Sequence, residues 1–134
     1  EVIEYAREEV NGGKALIENA SFQQKLAKVE VDLMALEYTE LRVLASLSTG
    51  SAPGPESSLL KIKGTELQQA VQELRMDAAA YYCGVQITEG EHDISGHAFG
   101  DHARRRYMYG RASTIYGGSN EIQKNIIAKA VLGL

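Results

Sequence analysis

Two apolar stripes confine this chain to a narrow set of architectures. Phe22, Leu26, Val29, Leu33, Leu36, Val43 and Leu47 recur at intervals built from fours and threes, and Leu60, Gly64, Leu67, Val71, Leu74, Ala78 and Tyr81 repeat the pattern. Such intervals keep successive side chains on one face of a helix with 3.6 residues per turn, and a helix with one apolar face must bury it against a neighbour. The first stripe predicts a helix from after Asn19 to about Ser48, and the second predicts a helix reaching about Tyr82. Between them Gly50-Ser51-Ala52-Pro53-Gly54-Pro55 breaks the chain, and Pro55 suits a first helical position, where its missing N–H would lack a partner anyway. The expected fold is all-α, an antiparallel helical bundle forming a single domain over residues 1–134.

Two residues depart from the stripes. Glu40 stands where the first seam is next due; the drift of the stripe toward Leu41 and Leu44 accounts for it, the other reading being a buried functional carboxylate. Gly64 costs about 1 kcal/mol relative to Ala in a helix interior, which implies that a neighbouring backbone approaches closely there.

With 134 residues, 44% of them hydrophobic, the chain can build one core. A net charge of −4 argues against a nucleic-acid surface. Cys83 is the only thiol, so no intrachain disulfide can form, and its neighbours Ala80, Tyr81 and Tyr82 favour a buried, inert side chain. No leader-like pattern and no apolar run near the ~20 residues that span a bilayer occurs, so the reading is cytoplasmic. Residues 1–10 carry Val2, Ile3, Tyr5, Ala6 and Val10 among charges, the last turns of a helix that Asn11-Gly12-Gly13 would stop. A helix this short is marginal alone, which points to a larger parent whose first bundle helix is largely absent here.

From Cys83 to Gly100 the periodicity fails and four glycines, Gly84, Gly90, Gly96 and Gly100, suggest a long loop. His92, His97 and His102, with Glu91, Asp93 and Asp101, match no familiar metal spacing, so no metal site is expected. Arg104-Arg105-Arg106 opens a short helix into Ile115, either an electropositive patch for a phosphate-bearing ligand or acidic partner, or a solvated or intersubunit ion-pair cluster. Arg111 is the basic residue expected to reach an anion bound at the turn that follows.

That turn is Tyr116-Gly117-Gly118-Ser119-Asn120-Glu121-Ile122-Gln123, leading into a segment with Ile122, Ile126, Ile127 and Val131 at helical spacing. Adjacent glycines allow a sharp turn and close backbone approach, and Ser119 is a good N-cap. A helix start presents unpaired N–H groups and the positive end of the helix dipole, so it favours a phosphate, carboxylate or developing oxyanion.

Tyr116-Gly-Gly-Ser-Asn-Glu-Ile-Gln-Lys-Asn-Ile-Ile-Ala128 resembles the last helix of the acyl-CoA dehydrogenases, and Leu36–Arg42 and Pro55–Glu66 resemble their middle helices, most nearly those of bacterial pimeloyl-CoA-dehydrogenase-like large subunits. The resemblance covers nearly the whole chain and implies the C-terminal helical-bundle portion of a larger flavoprotein. It further implies FAD as cofactor, an acyl-CoA thioester as substrate, a trans-2-enoyl-CoA product, an electron-transfer acceptor, and a homo- or hetero-oligomer without a membrane span.

Carried over position by position, the resemblance implies that Gly118, Ser119 and Glu121 contact the flavin dinucleotide and that the backbone N–H of Gly117 donates to the thioester carbonyl. The family's usual catalytic Glu follows the motif Tyr, a position held here by Gly117. Either the base comes from the first bundle helix, upstream of Glu1, or this is a non-catalytic flavin-binding or structural subunit of a hetero-oligomeric dehydrogenase. No catalytic side chain is assigned within the chain, and the segment alone is expected to be inactive. Where many members carry an Arg-x-x-Phe-Gly turn to grip the flavin pyrophosphate, this chain has Glu9, Gly12 and Gly13, which argues against the same grip here.

Overall fold

In a computed structural model, which describes residues 1–50, 52, 54–84, 86 and 97–133, the long helix α3 (Glu56–Ala79) is the element that the others pack on. Helix α1 (Val2–Glu8), helix α2 (Ala20–Ser48), helix α4 (His97–Gly110) and helix α5 (Asn120–Leu132) all lie against it. Buried Ile62, Leu67, Leu74 and Ala78 show why: α3 carries apolar residues on more than one face. The fold is all-α, five packed helices, as the stripes require.

The exit from α1 differs from expectation. Glu9 is already extended, and Gly12 and Gly13, at φ +62° and +82°, form the two-residue turn of a small antiparallel hairpin, β1 (Val10–Asn11) with β2 (Lys14–Ala15). Two successive left-handed residues match the right-handed twist of paired strands, so the glycines serve the hairpin rather than a helix stop. Asn19 then caps α2, its Oδ1 accepting from Phe22 N at 3.1 Å.

Ala6, Phe22, Leu74 and Ala78 form the main core, with Tyr5, Leu26, Val29 and Phe99 packed around them. Ala79, Cys83 and Ala103 form a smaller second cluster that also touches Phe99. The Phe99 ring stacks on Tyr5 with centroids 3.9 Å apart, tying α4 to α1. Cys83 is buried, as expected, its thiol donating to Met76 O, and burial pushes its pKa up.

Three expectations are corrected. Helix α4 begins at His97, so its first turns occupy what reads as loop, and Arg104 lies in its middle; after Gly110 the chain tightens into a 3₁₀ turn at Arg111–Thr114. His92, Glu91 and Asp93 lie outside the described residues, as does the side chain of His97. Gly64 admits no close backbone: a Cβ there would meet only Leu36 Cδ2, at an ordinary 3.9 Å. The glycine that does admit one is Gly100, where a Cβ would sit 2.5 Å from the Tyr82 carbonyl. Finally, the α2 stripe is covered at Phe22, 4% exposed, but Leu33 and Leu44 farther along are each 53% exposed. Periodicity sets which face a residue shares, and only neighbours bury it.

Candidate functional site

The site is built on the segment from Gly110 to Asn120, which α3 holds at both ends. At the first end the Gln69 amide of α3 lies 3.3–3.4 Å from four oxygens: Gly110 O, Arg111 O, Ser113 Oγ and Thr114 Oγ1. The Ser113 and Thr114 hydroxyls themselves donate to Gly110 O and Arg111 O. All four atoms facing the amide are therefore acceptors, which fixes its NH₂ toward them. Ser113 is 0% exposed, and Gly110 is buried, where a Cβ would stand 3.4 Å from Gln72 Cγ. At the other end, Lys61 Nζ donates to the buried Asn120 Oδ1 at 3.4 Å.

Between these anchors the chain turns. Ile115 N and Tyr116 N both donate to Ala112 O, and Gly117 and Gly118 follow at φ +67° and +90°. Two left-handed residues in succession reverse the chain in a way that side chains resist. Ser119 returns to extended geometry and caps α5, its Oγ accepting from Ile122 N at 3.4 Å. Gln123 Nε2 reaches back to Gly117 O at 3.2 Å, closing the turn on the first turn of the helix.

The electrostatics of this end are mixed. The Ser119 hydroxyl beside Glu121, then its own backbone N–H, hold that carboxyl below its usual range, with Lys124 and Lys61 adding to the effect. Gly117 faces open space, with nothing within 4 Å of where a Cβ would stand. A capped helix start, two glycines and two lysines beside an open approach are chemically suited to an anionic or carbonyl oxygen met by backbone donors. These residues fit part of a dinucleotide cofactor, with no side chain obstructing Gly117.

Gly117, Gly118, Ser119 and Glu121 thus come together in one turn. Arg111 does not join them. Its Nη1 donates to Glu73 Oε1 at 3.1 Å, its Nη2 to Gln69 O at 3.3 Å, and its guanidinium lies 4.3 Å over the Tyr107 ring. The competing attraction is α3, so Arg111 anchors the segment instead of reaching an anion at the turn. Arg104 and Arg105 both pair with Asp101, the latter at 2.7 Å, so these two form an ion-pair cluster within one helix, where the sequence reading sets such a cluster between subunits. Among the described residues no three His, Cys, Asp or Glu side chains converge as a metal site, and no helix is long and apolar enough to cross a membrane.

The anchoring residues escape a reading centred on apolar stripes. A second stripe, Ser58, Lys61, Thr65, Gln69 and Gln72, runs along α3 at helical spacing, and polar residues repeating on a helix that is elsewhere buried are the signal that would have exposed them.

Comparison with known proteins bears on the family and the fold. Residues 1–132 match the family model described as acyl-CoA dehydrogenase, C-terminal domain. The chain is 33% identical over 138 residues to acyl-CoA dehydrogenase IpdE1 of Mycobacterium tuberculosis, covering 98% of this chain and 33% of that protein. It is 32% identical over 135 residues to IpdE1 of Mycolicibacterium smegmatis, covering 98% and 31%. Among solved structures, the ChsE4-ChsE5 complex from Mycobacterium tuberculosis superposes with a TM-score of 0.77 at 30% identity, over 100% of this chain and 33% of that one. The chain spans about a third of the length of the curated relatives it matches.

Proposed function

Since the chain belongs to the acyl-CoA dehydrogenase family, in the part that forms its C-terminal domain, we propose that it is the C-terminal portion of an FAD-dependent enzyme converting acyl-CoA thioesters to trans-2-enoyl-CoA. The observation that carries this reading is the glycine pair at φ +67° and +90° feeding the Ser119-capped start of α5. In it, Gly118, Ser119 and Glu121 hold part of the FAD, and the Gly117 N–H donates to the thioester carbonyl, polarising it. FAD, when bound, supplies the two-electron acceptor, and an electron-transfer acceptor reoxidises it. The bare apolar side chains Leu33 and Leu44 on α2 and Ile122 and Val131 on α5 are covered by the rest of the parent chain and by other subunits of an oligomer.

A second reading has its own support. Gly117 offers no carboxylate where the family's usual base stands, and one solved relative is a complex of two differently named proteins, ChsE4 and ChsE5. The chain then belongs to a flavin-binding or structural subunit of a hetero-oligomeric dehydrogenase, and the base comes from elsewhere. Expressing the full reading frame, recording its flavin spectrum and screening acyl-CoAs with an electron acceptor separates the two. Flavin with turnover supports the first, flavin without turnover until a second subunit is added supports the second, and neither flavin nor acyl-CoA binding removes both.

Two substitutions bear on this. Ser119→Ala in the full-length protein is expected to weaken flavin retention roughly fivefold, since an N-cap hydroxyl is worth about 1 kcal/mol, whereas His102→Ala, on the exposed side of α4, leaves it unchanged. The reverse order, read by dialysis against flavin-free buffer, would refute the anion-site argument. Glu40→Gln is expected to leave acyl-CoA-dependent flavin bleaching at the wild-type rate, because Glu40 is exposed on α2. A drop of about 10² to 10⁴, the usual loss on removing a required base, with flavin content intact, would put the base on α2 after all.

A further inference from the structure

We propose that Gln69 is a positioning residue for the Gly117–Gly118 turn: its amide fixes the segment that aims these glycines at the ligand, an inference that rests on the functional reading above. The geometry is that of a span held from one beam. Gln69 grips residues 110–114, Lys61 grips Asn120, and the two lie eight residues apart on α3, roughly 12 Å along the helix axis. Ile115 to Gly117, between the anchors, are exposed, so the anchors set where the turn points.

Of the two anchors Gln69 is the stronger. Its four acceptors include the carbonyls of Gly110, the last residue of α4, and Arg111, the first of the 3₁₀ turn, so the amide meets the segment where one helix gives way to the other. Ser113 and Thr114 turn their hydroxyl hydrogens onto those same carbonyls, which leaves the Gln69 amide as the donor that ties this self-bonded turn to α3. Arg111 adds a return bond to Gln69 O, locking the same turn of α3 from the other side. A donor lost here takes the amide from the buried Ser113 Oγ and from Thr114 Oγ1 and removes a tie to α3, so the segment is free to shift away.

The test uses the full-length flavoprotein and Gln69→Leu, which keeps the bulk and removes the donors. Backbone amide exchange at residues 115–119 is expected to accelerate about tenfold or more, the scale of losing a hydrogen-bond donor to part-buried groups. In the flavin-loaded fraction the KM for acyl-CoA should rise several-fold. A loss of stability alone lowers the amount of active enzyme and leaves KM where it was. Leu26→Ala, which loosens the main core around Phe22 and Leu74 without removing any contact of the Gly110–Asn120 segment, is the comparator and should leave both the turn's exchange and KM at wild-type values. Thr114→Val removes one of the four acceptors, together with the hydroxyl that donates to Arg111 O, and should move the same observables in the same direction by a smaller factor, so the proposal stays testable if Gln69→Leu does not fold. Unchanged exchange at 115–119 in these variants overturns the proposal, as does a loosened turn with unaltered KM. A wild-type protein that binds neither flavin nor acyl-CoA overturns the functional reading instead, and is seen before any variant is made.

Discussion

Gly100→Ala is expected to destabilise the full-length protein by about 3 kcal/mol, at the upper end of what an extra methyl group costs in a packed interior. Elsewhere in a helix the same change would gain up to about 1 kcal/mol from propensity. Here the added Cβ would stand 2.5 Å from both the C and O atoms of Tyr82 and 2.8 Å from its Cβ. Two of those three atoms are backbone, so no side chain can swing clear. Relief requires moving α4 away from the 3₁₀ segment Ala80–Gly84, and that contact is the one that buries Ala79, Cys83 and Ala103 together. Phe99, which stacks on Tyr5, would be carried along, so the disturbance would reach α1. Urea unfolding followed by far-UV circular dichroism reads the change. Equal or greater stability in the variant would mean that α4 does not dock as described.

The same glycine shows where the sequence stops being legible. Helices α2, α3 and α5 are readable because their information is local: apolar stripes at helical spacing, Asn19 and Ser119 as caps, Pro55 at an entry. Helix α4 begins with His97-Ala98-Phe99-Gly100, which has no stripe and reads as loop. What makes it helical is distant in sequence, the fit of Gly100 against Tyr82 and the stacking of Phe99 on Tyr5. Gly12-Gly13 is ambiguous for a different reason, since a helix stop and a hairpin turn both need positive φ. At the candidate site the turn and the cap are legible from neighbouring residues. The direction of Arg111 is not, because Glu73 and Gln69 compete for it from a helix some forty positions earlier in the chain.

At the turn itself, Gly118→Val is expected to reduce flavin retention by about 10²-fold in the full-length protein, equivalent to about 2.7 kcal/mol. Two costs combine. A β-branched residue at φ +90° is strained by roughly 1–3 kcal/mol. Its Cβ would also stand 2.6 Å from Gln123 Nε2, driving off the amide that closes the turn onto Gly117 O. The backbone can escape the strain by rotating the Gly117–Gly118 peptide, and that rotation redirects the N–H groups on which the proposed ligand contacts depend. Gly117→Glu makes a sharper control than a distant mutation. Position 117 is also left-handed, at φ +67°, but a side chain there meets open space. Its cost is the backbone term alone, so Gly117→Glu should keep its flavin while placing a carboxylate where the family's usual base stands. The ratio of flavin to protein absorbance after exhaustive dialysis measures both variants. If Gly118→Val holds flavin as well as the wild type, or if Gly117→Glu loses it to the same extent, the ligand does not lie against this turn.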